Sequence, residues 1–385
     1  MSKPQIFVDE NVPKAEEFFG QLGEVHTFAG RNVSAKTLAN ADALVVRSVT
    51  QVNEQLLAES KVNFVGTCTI GIDHLDTAWL DRRDIAYTNA PGCNANSVVE
   101  YVLAALALLN INWQGKRVGI VGCGNVGGRL YAKLASLGAQ VAAYDPLLAP
   151  GAFPNLVSLE EVFSADIVCL HAPLTTSGPY PTRHMIGREL LAHLPIGATL
   201  ISAGRGPVVC NESLLAFANV RADLRLVLDV WEHEPWLPQA LLARAAIGTP
   251  HIAGYSYDGK VAGTEKVFQA LASHWGKTHQ VNGAHTQAPG CPEYEPKLAL
   301  LSDADWQQVR RLVCNAYDIA ADDQRLRDMV AAALKTGAPD EAIATGFDLL
   351  RKTYPVRREF RFYQPVTEAL SEPARAMARA IGFQC

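Results

Sequence analysis

The chain has 385 residues, of which 49% are hydrophobic and 19% charged, with a formal net charge of −5. Such a length calls for two or three domains, and the composition is too apolar for a disordered chain. The small negative charge gives no footprint of a nucleic-acid or anionic-membrane binder, so neither partner is expected. No apolar run reaches the ~18 residues of a membrane span. The N-terminus, MSKPQIFVDEN, has no apolar signal core, and a cytoplasmic protein is expected. The eight cysteines include no CxxC pair and no metal-ligand spacing, so reduced thiols and no metal are expected.

In chain order, the first ninety residues alternate strand-like and helix-like runs. QIFVDEN, EVHTFAG, DALVVRS, VNFVGTC and IAYTNA read as strands, and PKAEEFFGQLG, SAKTLANA, NEQLLAES and LDTAWLDRRD as helices. This alternation predicts a parallel sheet covered on both faces. A helix over about 96–109 is apolar on nearly every side and should be buried. Six further strands follow: RVGIVG, QVAAYD, DIVCLHA, ATLISAG, LRLVLDV and AIGTPHI, a complete doubly wound dinucleotide fold. A helix over about 258–275 and a Pro/Gly linker over 276–297 come next. The last ninety residues read as helices near WQQVRRLVCNAYDI, DQRLRDMVAAALK and DEAIATGFDLLRK, a strand REFRFYQ, and a final helix SEPARAMARAI.

VGIVGCGNVGGRL follows a strand, opens a helix, and supplies Gly122, Gly124 and Gly127. Gly122 permits the tight turn, Gly124 admits a pyrophosphate to the backbone, and Gly127 lets helix and strand pack closely. The helix N-terminus offers N–H groups to phosphate. Asp145 ends the next strand, 18 residues after Gly127, where a carboxylate accepts from ribose hydroxyls and repels a 2′-phosphate. NAD is therefore expected over NADP.

Arg205 in SAGRGPVV, Glu234 in DVWEHEP and His251 in TPHIAGYS each stand at the end of a predicted strand. Singly, each has an ordinary structural explanation. Together above a dinucleotide they suit oxidation of a C2 alcohol. His251 takes the hydroxyl proton, Glu234 orients the ring and favours its protonated form, and Arg205 offers a planar fork to a substrate carboxylate. Asp229, at the end of LDV, is a candidate for the nicotinamide carboxamide.

The spacing of Arg205, Asp229, Glu234 and His251 within GRG, DVWEHEP and TPHIAGYS resembles the D-isomer-specific 2-hydroxyacid dehydrogenase family over residues 1–280. VVRSVTQV, VGTCTIGIDHLD, NAPGCNANSVVEYV, PTRHMI, HIAGYSYDGK and YPVRREF are similar to its members that oxidise a small phosphorylated 2-hydroxyacid of four carbons. The resemblance implies a flavodoxin-like substrate-binding domain over 1–95 and 256–280, an inserted Rossmann NAD domain over 96–255, and a small α+β dimerisation domain over 286–385. It implies that Ser48, Thr69 and Tyr255 contact substrate. It further implies that Asn125, Val126, Asp145, the turn Ala203–Gly204–Arg205, Asp229 and Gly254 contact NAD. Ala172 departs from the family, which often has Thr there, and one hydrogen bond worth about 0.5–1.5 kcal/mol is lost. Two other readings stay open: a phosphoglycerate dehydrogenase, whose long forms end in a βαββαβ regulatory domain, and a non-catalytic NAD-sensing protein.

An anionic terminal phosphate needs cations beyond Arg205. Arg47, beside Ser48 at a strand end, is the candidate. Arg357 and Arg358 either reach a neighbouring active site or form a solvated charge run. The C-terminal module is rich in apolar residues, Leu334, Phe347, Leu349 and Phe362 among them, which suggests a self-complementary contact and a homodimer.

Overall fold

A computed structural model describes residues 3–277, 298, 300–365 and 369–385. The expected linker lies almost wholly outside these residues. The chain forms two units: Met1–Asn96 with Tyr255–Ala288, and Ser97–Gly254 with Pro289–Cys385.

In the first unit, β1 (Gln5–Asp9), β2 (Glu24–Phe28), β3 (Ala43–Val46), β4 (Phe64–Thr67) and β5 (Ala86–Thr88) make a five-stranded sheet of order β2-β1-β3-β4-β5. Every pairing is parallel. The two-residue period of a strand divides its side chains between two cores. Ile6, Ala43, Val45 and Phe64 join Phe19, Phe268 and Leu271 on one face. Leu44, Val46 and Val65 join Leu38, Trp79 and Leu80 on the other. The helix Tyr257–His274 returns to this sheet, capped by the Ser256 hydroxyl on Gly259 N–H. A Cβ on Gly66 would come 2.2 Å from a Val267 methyl, so glycine sets how closely this helix lies on β4.

The second unit contains the buried helix Ala95–Leu108, which starts at its edge, and a six-stranded sheet of β6 (Arg117–Val121), β7 (Gln140–Tyr144), β8 (Ile167–Leu170), β9 (Thr199–Ser202), β10 (Arg225–Leu228) and β11 (Ile247–Gly248). Its order is β11-β10-β9-β8-β6-β7, all parallel. A parallel bridge between Ala143 and Leu156 extends the sheet beyond β7.

The C-terminal segment joins this unit. Leu326, Val330, Ile343 and Phe347, from the helices Ile319–Ala333 and Pro339–Lys352, share one core with Leu200, Leu226 and Trp231. Lys133, on the helix Asn125–Ser136, donates to Ala380 O at 2.6 Å, near the end of the helix Glu372–Ile381. The expected strand at REFRFYQ is absent among the described residues, where Phe360–Phe362 is a 3-10 turn. Its polar groups go elsewhere: Phe360 N–H donates to Glu100 at 2.9 Å, Glu359 accepts from Ser97 Oγ, and Phe360 stacks on Phe383. The described C-terminal region is thus helical rather than α+β.

Seven cysteines fall among the described residues and all are free thiols, Cys68, Cys93, Cys123 and Cys169 being buried. Among the described residues, no helix is long and apolar enough to cross a membrane.

Candidate active site

The glycine-rich turn follows β6. Gly122 has φ of +84°, and a Cβ there would come 2.7 Å from the Ala172 backbone. A Cβ on Gly127 would come 1.8 Å from Gly122 O, so both positions require glycine for backbone approach. Gly124 is different: a Cβ there meets nothing within 4 Å. It caps the twelve-residue helix Asn125–Ser136 without a side-chain cap, so no side chain from the cap takes up the N–H groups of the first turn. That arrangement fits the pyrophosphate of a dinucleotide. Asp145 sits one residue past β7, half-buried, its carboxylate aimed by Cys123 N–H at 2.9 Å and Leu147 N–H at 3.1 Å. Acceptor capacity remains on both oxygens for ribose hydroxyls.

The turn after β9 carries Ala203, Gly204 and Arg205. Ala203 N–H donates to Leu170 O, and Arg205 Nη1 donates to Gly204 O at 3.0 Å. A Cβ on Gly206 would come 1.9 Å from Trp231 O. The GRG turn therefore presses on the segment after β10, the one that carries Glu234.

Glu234 and His251 form the pair read from the sequence. Glu234 Oε2 lies 2.7 Å from His251 Nδ1, and its Oε1 accepts from Trp231 N–H at 2.9 Å. Burial pushes this carboxyl up. The His251 ring, its hydrogen bond and the Trp231 N–H outweigh burial and hold it below the ordinary value. The ionised carboxylate fixes Nδ1 as the donor, which leaves Nε2 as the acceptor of the neutral ring. His251 itself has φ of +55°, a conformation that costs a non-glycine residue about 1–3 kcal/mol and persists only where neighbours hold it.

Asp229 is the main holder. Its Oδ1 accepts from Thr249 Oγ1 at 2.6 Å and Ile252 N–H at 2.8 Å, and its Oδ2 from Ala253 N–H at 3.0 Å. His251 N–H donates to Asp229 O at 2.7 Å. Burial raises the Asp229 carboxyl, while His251 and these hydrogen bonds oppose the rise. The sequence suggested a contact with nicotinamide. In the structure Asp229 is buried and binds the loop that carries His251, with spare capacity on Oδ2. Gly254 ends that loop.

The first unit holds the other candidates at the ends of β3 and β4. Arg47 is buried, with its guanidinium 5.7 Å from the Tyr255 ring centre, and Ser48 next to it is exposed. Thr69 Oγ1 meets Thr67 Oγ1 at 2.8 Å. Lys260 also lies over the Tyr255 ring, its Nζ 4.8 Å from the ring centre. Sequence reading missed Lys260, although it stands in the quoted run HIAGYSYDGK. The signal was its place in the first turn of a helix whose N-terminus follows Tyr255. Arg47, Ser48, Tyr255 and Lys260 together concentrate donors and positive charge suited to a phosphate.

Residues 100–253 match the family described as the NAD binding domain of D-isomer specific 2-hydroxyacid dehydrogenases, and residues 292–382 match a domain of unknown function. Among solved structures, the NAD+-bound 3-phosphoglycerate dehydrogenase of Entamoeba histolytica is similar with TM-score 0.62 and 24% identity, covering 72% of this chain and 96% of that one. A D-lactate dehydrogenase from Aquifex aeolicus, complexed with NAD and lactic acid, gives TM-score 0.57 at 23% identity over 70% and 96% of the two chains. At these identities the likeness concerns the fold. Much nearer in sequence is the erythronate-4-phosphate dehydrogenase of Cellvibrio japonicus, 49% identical over 99% of this chain and 100% of that protein. The protein of that name from Saccharophagus degradans is 42% identical over 98% of each. With a Glu–His pair, a glycine-rich turn and near full-length relatives of one name, the chain belongs to the erythronate-4-phosphate dehydrogenase family, NAD-binding oxidoreductases of the D-isomer specific 2-hydroxyacid dehydrogenase group.

Proposed function

We propose that this chain oxidises 4-phospho-D-erythronate at C2 to the 2-oxo acid, the step that serves pyridoxal phosphate formation, with His251 as base. The observation that carries the roles is the Glu234–His251 pair at 2.7 Å, on a loop held by Asp229. His251 Nε2 takes the C2 hydroxyl proton, and the ionised Glu234 stabilises the imidazolium that results. NAD, when bound, supplies the hydride acceptor. Gly122, Gly124, Asn125, Val126 and Gly127 receive its pyrophosphate and Asp145 its ribose. Ala203, Gly204, Asp229 and Gly254 line its other side. Arg205 binds the substrate carboxylate and polarises the C2 oxygen.

The first unit supplies the phosphate ligands in this reading: Arg47 with Ser48, Thr69 and Tyr255, and Lys260 as a second cation. The deciding experiment compares turnover of 4-phospho-D-erythronate and 3-phospho-D-glycerate. Equal or faster turnover of the three-carbon acid would overturn the substrate assignment.

The reading also makes the enzyme a cytoplasmic homodimer joined through its C-terminal region, where Leu334, just past the helix Ile319–Ala333, and Leu349, on the helix Pro339–Lys352, are 47% and 55% exposed. Truncation would uncover Leu326, Ile343 and Phe347 partners in the nucleotide unit, so Leu349→Asp is the cleaner test. Light scattering should report a monomer. A variant that stays dimeric would remove this face from the interface.

A further inference from the structure

We propose that the C-terminal segment clamps the loop bearing His251 within its own chain, and that Arg357 is a positioning residue for that histidine. The inference rests on the base role given to His251 above.

The loop is gripped on both sides by this segment. Before His251, Asp323 accepts from Gly248 N–H at 2.7 Å, on the edge strand β11. Asp323 is itself held by Arg327, which also donates to Leu242 O at 3.1 Å and Ala245 O at 2.8 Å. After His251, Arg357 Nη2 donates to Ala253 O at 2.6 Å and to Ser97 O at 3.4 Å. Ala253 is also the residue whose N–H binds Asp229, so one peptide stretch is pinned at its donor and its acceptor.

Arg357 is only 6% exposed. Its guanidinium lies 4.2 Å from the ring centre of Tyr317, and the hydroxyls of Tyr317 and Tyr354 both donate to buried Asp322 at 2.8 Å. Burying a guanidinium is costly, and an apolar residue would fill the same space more cheaply. What Arg357 adds is a charge-assisted bond to a carbonyl of the loop, that of Ala253. A histidine at φ of +55° has need of that bond, because a left-handed residue relaxes unless both flanks are fixed. Arg351, on the helix Pro339–Lys352, is also near enough to Glu234 to help draw its carboxyl down.

The test uses the full chain with Arg357→Met and Arg357→Lys, and three readouts: hydrogen exchange over residues 249–254, steady-state kinetics, and NAD affinity by fluorescence titration. Arg357→Met should exchange this segment faster while the helices Ile319–Ala333 and Pro339–Lys352 keep wild-type protection. Its kcat should fall about 10–100-fold, the scale of a misplaced catalytic group, with KM and NAD affinity within roughly threefold. Arg357→Lys, which keeps the charge on a single nitrogen in place of the guanidinium fork, should lie between. Wild-type exchange over 249–254, or faster exchange with unchanged kcat, would overturn the proposal. If the Met variant does not fold, the Lys variant decides alone: intermediate values support the clamp and wild-type values in both readouts refute it. His251→Asn separates the two readings, because retained turnover there removes the base role and leaves the exchange result intact.

Discussion

Replacing Glu234 by Gln is the sharpest probe of the proposed catalytic pair. The carboxylate serves two donors, His251 Nδ1 at 2.7 Å and Trp231 N–H at 2.9 Å. Glutamine keeps the shape but brings one acceptor and one NH2 group, so one of the two bonds is lost whichever way the amide turns. A hydrogen bond to a charged group is worth about 1.5–3 kcal/mol. If that is realised as charge develops on the imidazole, turnover falls about 10–150-fold, at about 1.36 kcal/mol per tenfold. The assay is steady-state absorbance of the reduced cofactor between about pH 6 and 9. Burial works to raise the Glu234 carboxyl, but His251 and the Trp231 N–H hold it below its ordinary value, so it is ionised throughout that range. The deficit should therefore persist to the alkaline end of that range. Turnover within roughly threefold of wild type, or a deficit that vanishes at the alkaline end, would refute the pairing as a catalytic device.

His251→Asn should fold and bind NAD yet lose roughly 10²–10⁴ in turnover, the usual worth of a general base, and a loss under about tenfold would exclude that role. Asp145→Ala should weaken discrimination against NADP, measured as the ratio of kcat/KM for the two cofactors; a wild type that already uses both equally removes the assignment. Burial pushes His171 down from 6.5 to about 4. Between those values the unfolded chain binds a proton that the folded chain refuses. Stability should thus fall as pH drops through the unfolded value and level off below the folded one, by roughly 3 kcal/mol in all. Urea unfolding at several pH values should show a flatter profile for His171→Gln, and identical profiles would exonerate the ring.

Much of this architecture was legible in the residues before any coordinates. Short apolar runs alternating with helical ones marked the eleven strands of the described residues, because burial on both faces leaves near-continuous apolar runs. The nucleotide turn was equally plain, since Gly122 and Gly127 answer to backbone contacts that no other residue can make. Glu234 and His251 were found because strand ends in such a sheet converge on one edge.

Tertiary structure alone decided the rest. Phe360 and Phe362 alternate like strand residues, yet Glu100 and Ser97 take the local hydrogen bonds and only a 3-10 turn forms. Arg357 reads as reaching a neighbouring active site or as part of a solvated charge run, and it is buried on Tyr317 with its donor on Ala253 of its own chain. Asp229 reads as a cofactor ligand, and only the fold shows that its carboxylate also binds three donors of the His251 loop. Periodicity and glycine spacing are local constraints that leave a pattern along the chain. Which buried donor meets which carbonyl depends on residues more than a hundred positions apart, and satisfying those groups on burial is a demand that only the folded packing imposes.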